Sequence, residues 1–168
     1  MGRRSPGSLY VFVDKSDGVY ALIAVEESSV DGLASRLARV RHFRKLRKRE
    51  KKGYIEAFPR RFQAVQKLLV HVRVFTDPGK LKHFLQSIAG RVKVLCIDDE
   101  AYGYLAARRG LSFEERDIQV VRESRIKHQP QKIQNRLRRP MLLADNLANY
   151  GRLMLERGSF RNVKKLEK

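Results

Sequence analysis

Leu9-Tyr10-Val11-Phe12-Val13-Asp14, then Lys15-Ser16-Asp17-Gly18, then Val19-Tyr20-Ala21-Leu22-Ile23-Ala24-Val25, is the stretch that decides the fold. Two runs of β-branched, aromatic and other apolar residues flank a short segment ending in Asp-Gly, a dipeptide suited to a tight turn. The pattern predicts a β-hairpin with strands over residues 9–14 and 19–25 and a turn at 15–18. A doubly wound, Rossmann-like chain passes from its first strand into a helix, so a hairpin here argues against that topology.

Downstream, strands and helices alternate. Residues 29–51 carry Val30, Leu33, Leu37, Val40 and Phe43 or Leu46 at helical spacing behind Ser28 or Ser29 as N-cap, and Gly53 is expected to break that helix. Residues 54–58 suit a short edge strand, and Pro59 opens a helix reaching Leu68 or Leu69. Alternation over 70–75 predicts a strand ended by Asp77-Pro78-Gly79. Then follow a helix over 80–89, a strand over 92–97, a helix from Asp99 to Arg109 closed by Gly110, and a strand over 118–121. A polar basic loop is expected from Arg122 to about Arg136, and a last helix from Leu137 or Pro140 to Arg157. The expected organisation is a flexible basic leader over 1–8, one domain over 9–158, and a frayed basic tail over 159–168. Hairpin first and alternation afterwards call for an α/β fold with a mixed sheet and helices on both faces. Right-handed crossovers would set strands 9–14, 70–76 and 92–97 side by side and parallel.

Composition narrows the partner. The 168 residues include 37 Lys or Arg against 18 Asp or Glu, a formal net charge of +19. Such an excess favours a polyanion, because each neutralised phosphate releases condensed counterions. Nucleic acid is the expected partner. The start of the chain lacks the apolar core of a secretory signal and no stretch is long enough to span a bilayer, which points to a cytoplasmic protein. The single cysteine, Cys96, excludes an internal disulfide and reads as a buried small hydrophobe. His42, His71 and His83 show no zinc-ligand spacing, and there is no phosphate-binding glycine loop or helix-turn-helix reader.

In so basic a chain, acids beside buried apolar residues require a reason. Asp14 closes the first strand, Asp98 or Asp99 closes the strand over 92–97, and Asp145 sits within the apolar run Met141-Leu142-Leu143-Ala144-Asp145-Asn146-Leu147-Ala148. Ligands collect beyond the carboxyl ends of parallel strands. Carboxylates gathered there repel and raise one another's pKa, whereas Mg²⁺ or Mn²⁺ removes the repulsion and gains oxygen ligands. For Asp145, the alternatives are an ion pair with a base such as Arg152 or a reach into a polar site. Two strand-end aspartates and a helical one have the types needed for two-metal phosphodiester cleavage, with Asp99 and Glu50 as substitutes or supporting groups and Glu50 or Glu56 as a fourth carboxylate.

These segments also carry a resemblance. Residues 10–18 resemble the "YVFIDESGD" opening of an uncharacterised prokaryotic family in the ribonuclease H-like superfamily. Residues 143–148 are similar to its C-terminal "LADLLA" helix, and Val94-Leu95-Cys96-Ile97-Asp98-Asp99 to its middle strand ending in aspartate. The resemblance spans most of the chain in the same order. It implies a ribonuclease H-like α/β fold with a mixed five-stranded sheet in the order 3-2-1-4-5, and metal ligands at Asp14, Asp98 or Asp99, and Asp145. Lys15 stands where that family carries glutamate, and the family's Glu-x-Lys element has only imperfect counterparts in Glu50-Lys51-Lys52 and Glu56.

The cations form two clusters. Between Arg36 and Lys52 they include Arg41, Arg44, Lys45, Arg47, Lys48 and Lys51, and the loop before the last helix adds Arg125, Lys127, Lys132 and Arg136. Like charges at i, i+4 on a helix repel, so such density favours contact with a nucleic-acid backbone, DNA, RNA or hybrid. A metal-dependent nuclease or related phosphoryl-transfer enzyme is therefore expected. The alternative is a non-catalytic nucleic-acid-binding protein with remnant aspartates, and convergence of the carboxyl groups within about 6 Å separates the two.

Overall fold

The structure, a computed structural model, describes residues 7–108 and 117–168. Strand β1 (Leu9–Ser16) and strand β2 (Val19–Glu26) pair antiparallel with Ser16 opposite Val19. The turn is the two residues Asp17 (φ 41°) and Gly18 (φ 79°), both left-handed, which is the backbone that matches the twist of the flanking strands. Then come helix α1 (Glu27–Arg36), α2 (Lys48–Glu56), α3 (Phe58–Gln66), strand β3 (Leu69–Phe75), α4 (Pro78–Ile88), β4 (Val92–Ile97), α5 (Asp99–Gly103), β5 (Gln119–Arg122), α6 (Gln131–Glu156) and the short α7 (Arg161–Lys164).

The five strands form one mixed sheet in the order β3-β2-β1-β4-β5. β4 runs parallel to β1 and β5 parallel to β4, while β2 is antiparallel to both its neighbours. The expected adjacency of strands 9–14 and 70–76 does not occur, because the hairpin's second strand lies between them. Alternation divides the sheet cleanly. Tyr10, Phe12, Ala21, Ile23 and Cys96 face a core shared with α1, α2, α3 and α6, whereas Leu9, Val11, Val13, Leu22 and Ile97 face Leu81 and Leu85 of α4 and Ala101 of α5.

Tertiary contacts change three expected elements. The helix expected over 29–51 is two helices with a bent segment between them, and the N-cap is Glu26 rather than a serine. The Asp145 carboxylate accepts the Phe43 N–H (3.1 Å) and the Asn146 amide donates to the Arg41 carbonyl (2.9 Å). Both backbone groups are thus taken by α6 instead of by a helical ladder, which also relieves repulsion along the cation run. Gly53 lies inside α2, and residues 54–58 are the end of α2 and start of α3, not an edge strand. The basic loop expected up to Arg136 holds a 3₁₀ turn, Glu123–His128, and the first turns of α6, which runs through the buried Pro140. An interior proline costs about 3 kcal/mol, and burial of Leu137, Met141 and Leu143 on the same helix offsets it.

The tail is not frayed. Val163 and Leu166 are buried, and Lys168 exchanges two backbone hydrogen bonds with Val72 on β3 (3.0 and 2.9 Å). Arg109 and Gly110, the expected end of the helix from Asp99, lie outside the described residues, as does most of the leader. Among the described residues no helix is long and apolar enough to cross a membrane.

Candidate active site

The parallel strands position the site by register. Val13 of β1 pairs with Ile97 of β4, and Ile97 with Arg122 of β5. The next residue on each strand is Asp14, Asp98 and Glu123. All three follow by alternation a residue of the α6 side, Phe12, Cys96 and Val121, so three acids occupy one register row on one face at the carboxyl edge of adjacent strands. Asp14 lies within β1 near its turn end, and Asp98 and Glu123 lie just past β4 and β5. One carboxylate oxygen from each of Asp14, Asp98 and Glu123 lies within 4.8 Å of the other two. The choice between Asp98 and Asp99 resolves toward Asp98, which also caps α5 by accepting the Ala101 N–H at 3.0 Å. Asp99 is the first residue of that helix, and its buried Oδ1 has no hydrogen-bond partner.

Glu123 escapes a reading of the sequence because it stands amid Arg122, Arg125 and Lys127 at the start of what reads as a loop. The signal was its place: an acid immediately after a strand-forming apolar run, as at Asp14 and Asp98. Glu50 does not join the group. Its carboxylate accepts the Arg47 N–H (2.9 Å) and an Arg41 guanidinium hydrogen (3.4 Å), so it caps α2, and these contacts hold it below the usual carboxylate range. Glu56 pairs across the surface with Arg157 (4.0 Å).

Asp145 lines the same small cavity but holds its oxygens differently. Oδ2 accepts the Phe43 N–H, and Oδ1 accepts the Asn149 amide at 3.1 Å. Asn149 in turn accepts the Ser16 hydroxyl (3.0 Å), to which Arg152 donates (2.9 Å). Arg152 makes its ion pairs with Asp17 (3.7 Å) and Glu156 (3.0 Å), so the expected Asp145–Arg152 pair is replaced by a relay through Asn149 and Ser16. Asp145 thus ties the 41–45 segment, with its cations, to the carboxylate row. His42 Nδ1 stands 4.0 Å from Asp145 while accepting the Arg44 N–H (3.2 Å), and an acceptor nitrogen carries no proton toward the carboxylate.

Burial and mutual repulsion dominate the electrostatics. Asp14 is 4% exposed. Burial above all, then the charges of Asp145 and Glu123, push its carboxyl from 3.8 up to about 9, against the Lys15 N–H that donates to it at 2.7 Å. Burial, then Asp98 and Asp145, push Glu123 up to about 7, with Arg44 opposing. Asp98 is raised as well, chiefly by burial. Without a cation, burial and mutual repulsion thus favour the protonated forms of this row.

The cavity between these groups measures about 30 Å³ and is lined also by Lys15, His42 and Arg44. That is about the share of one water in the liquid, or room for an ion with little else. Beside it opens a larger groove of about 620 Å³ that shares His42 and Glu123 with the cavity. Arg41, Lys45, Lys127 and Arg138 line it.

Of the expected nucleic-acid contacts, then, Arg41, Lys45 and Lys127 border the groove and Arg44 the small cavity. Arg47, Lys48, Arg125 and Lys132 are exposed beyond them, and Lys51 lies over the Phe43 ring (5.2 Å). Arg136 is committed elsewhere: it grips Asp31 with two hydrogen bonds (2.9 and 3.1 Å) and donates to the Tyr10 hydroxyl (3.3 Å), fastening α6 to α1. Cys96 is fully buried, and burial pushes its thiol up, which excludes a nucleophilic role.

No protein-family model matches the chain, and no curated protein matches it. The class of site is therefore read from its chemistry: an all-carboxylate row at the carboxyl edge of parallel strands, flanked by a cationic groove.

Proposed function

We propose that the protein is a divalent-metal-dependent nuclease, or a related phosphoryl-transfer enzyme, on a fold of ribonuclease H type. The observation that carries this reading is the shared register row of Asp14, Asp98 and Glu123, converging within 4.8 Å beside a groove lined by four cations. The sheet order β3-β2-β1-β4-β5 with an N-terminal hairpin agrees with that fold type.

The donor set fits a hard cation. Three carboxylates without sulfur or imidazole suit Mg²⁺ or Mn²⁺, and their raised proton affinity marks charge that a cation would compensate. Asp14, Asp98 and Glu123 would hold the metal, with Asp99 and Asp145 beside them. Bound there, divalent metal supplies Lewis-acid polarisation of a phosphate oxygen and a water of lowered pKa. Arg44 at the cavity and Arg41, Lys45 and Lys127 along the groove orient the phosphodiester backbone by charge. Asp145 keeps the 41–45 segment in place for that role through its bond to Phe43. Lys15, whose ammonium pairs with Glu100 (3.3 Å), sets a positive charge at the rim.

The test incubates the full chain with labelled single-stranded, duplex and hybrid substrates plus Mg²⁺ or Mn²⁺, beside Asp14→Asn. Metal-dependent cleavage lost in the variant is the expected result. Equal behaviour of the two proteins sinks the catalytic reading, and binding without cleavage would leave the non-catalytic one.

A further inference from the structure

The floor of the larger groove is unlike its rim. Val40 and Leu142, both half-buried, present aliphatic surface between the four cations, and the buried Ile126 and Met141 back that surface. Phosphate contact alone makes no use of that aliphatic surface. The groove's volume, about 620 Å³, falls within the range of sites that take nucleotide-sized molecules. His42, on the wall shared with the small cavity, adds an imidazole face of the kind on which unstacked bases lie.

We infer that this groove seats an unpaired nucleotide of a single nucleic-acid strand, its base on the aliphatic floor and its phosphates on the cationic rim. The inference rests on the reading of nucleic acid as the partner and deepens it by naming the substrate class. A base inside a duplex offers only its edge, since both faces are stacked, so it cannot cover Val40 and Leu142. An unpaired base offers a whole face. Because the groove and the carboxylate cavity share Glu123 and His42, a nucleotide seated in one places its neighbouring phosphate at the other. Cations align the strand without regard to sequence, and the aliphatic floor accepts any base.

The experiment is fluorescence anisotropy with the full chain in EDTA, where no metal chemistry contributes. Three labelled probes of equal length are compared at one salt concentration: a single strand, its blunt duplex, and the same strand with abasic sites. Removing the bases keeps the phosphates, so the abasic strand is expected to bind roughly tenfold weaker than the parent, the loss carried by about one unstacked base. Leu142→Gln and Val40→Asn, both charge-neutral changes at half-buried positions, should lower single-strand affinity by a similar factor while sparing the duplex and the salt dependence. Equal binding of abasic and parent strands, equal loss for strand and duplex in the variants, or no binding at all would overturn the inference. The abasic comparison uses the unaltered protein, so misfolding of a variant cannot obscure the outcome. Divalent titration tests the metal site separately: its failure leaves these affinities untouched, and their failure leaves the metal site standing.

Discussion

Asp14→Asn should stabilise the metal-free protein while abolishing its response to divalent cations. At 4.8 Å and an effective dielectric near 20, two carboxylates repel by about 3.5 kcal/mol. Keeping Asp14 protonated at pH 7 instead costs about 4 kcal/mol, since its ordinary value of 3.8 lies three units lower and each unit is worth about 1.4 kcal/mol. The two costs are comparable, so the folded protein bears one or the other. The sign follows from the raised pKa. Below about pH 4 folded and unfolded chains both hold the proton and stability is complete; as pH rises toward about 9 the unfolded chain ionises while the folded one does not, and stability falls. An asparagine has the same shape, accepts the Lys15 N–H and does not titrate. Its advantage should be near zero at pH 4 and grow to about 2–4 kcal/mol at pH 7, allowing for water entering the site, or roughly 4–16 °C in Tm for a chain of this size. Thermal melts in EDTA across pH measure it, and Mg²⁺ or Mn²⁺ should then raise the Tm of the wild type only. An advantage independent of pH, or a loss of stability at pH 7, would refute the electrostatic reasoning.

Glu123→Gln removes one oxygen donor and should weaken divalent binding by at least roughly tenfold. Because burial and the neighbouring acids push Glu123 up to about 7, wild-type affinity should drop as pH falls through that value, with a shallower drop in the variant, as read by calorimetry on either side of neutrality. Deleting residues 159–168 exposes the pocket of Val163 and Leu166 and frees the β3 edge, so stability should fall by about 2–4 kcal/mol; an unchanged denaturation midpoint would return the segment to a frayed tail. Gly151→Ala illustrates a change of sign. An alanine ordinarily strengthens a helix by about 1 kcal/mol over glycine, but here its Cβ would meet Val19 Cγ1 at 3.0 Å and Val74 Cγ1 at 3.2 Å, lifting α6 off the sheet. A net loss of about 1–3 kcal/mol is expected from overpacking, and a gain in Tm would show that the interface yields.

The sequence by itself determined what depends on neighbours along the chain. Asp17-Gly18 between two apolar runs specifies the hairpin, because few residues tolerate the left-handed backbone of that turn. The strands at 70–75 and 92–97 follow from alternation and bounding breakers, and Asp14 and Asp98 follow from their position at strand ends. Only the tertiary structure decided what depends on which strands lie side by side. Glu123 is unremarkable among its cations until β5 pairs with β4 and brings it into the row of Asp14 and Asp98. Asp145, conspicuous on an apolar helix, belongs to the site as the group that captures the Phe43 N–H, and that capture divides a run that local periodicity would continue as helix. Hydrogen bonds from distant residues outweighed helical spacing there because helix propensity is worth only tenths of a kcal/mol per residue, whereas a buried backbone donor or acceptor left without a partner costs about 1–3 kcal/mol.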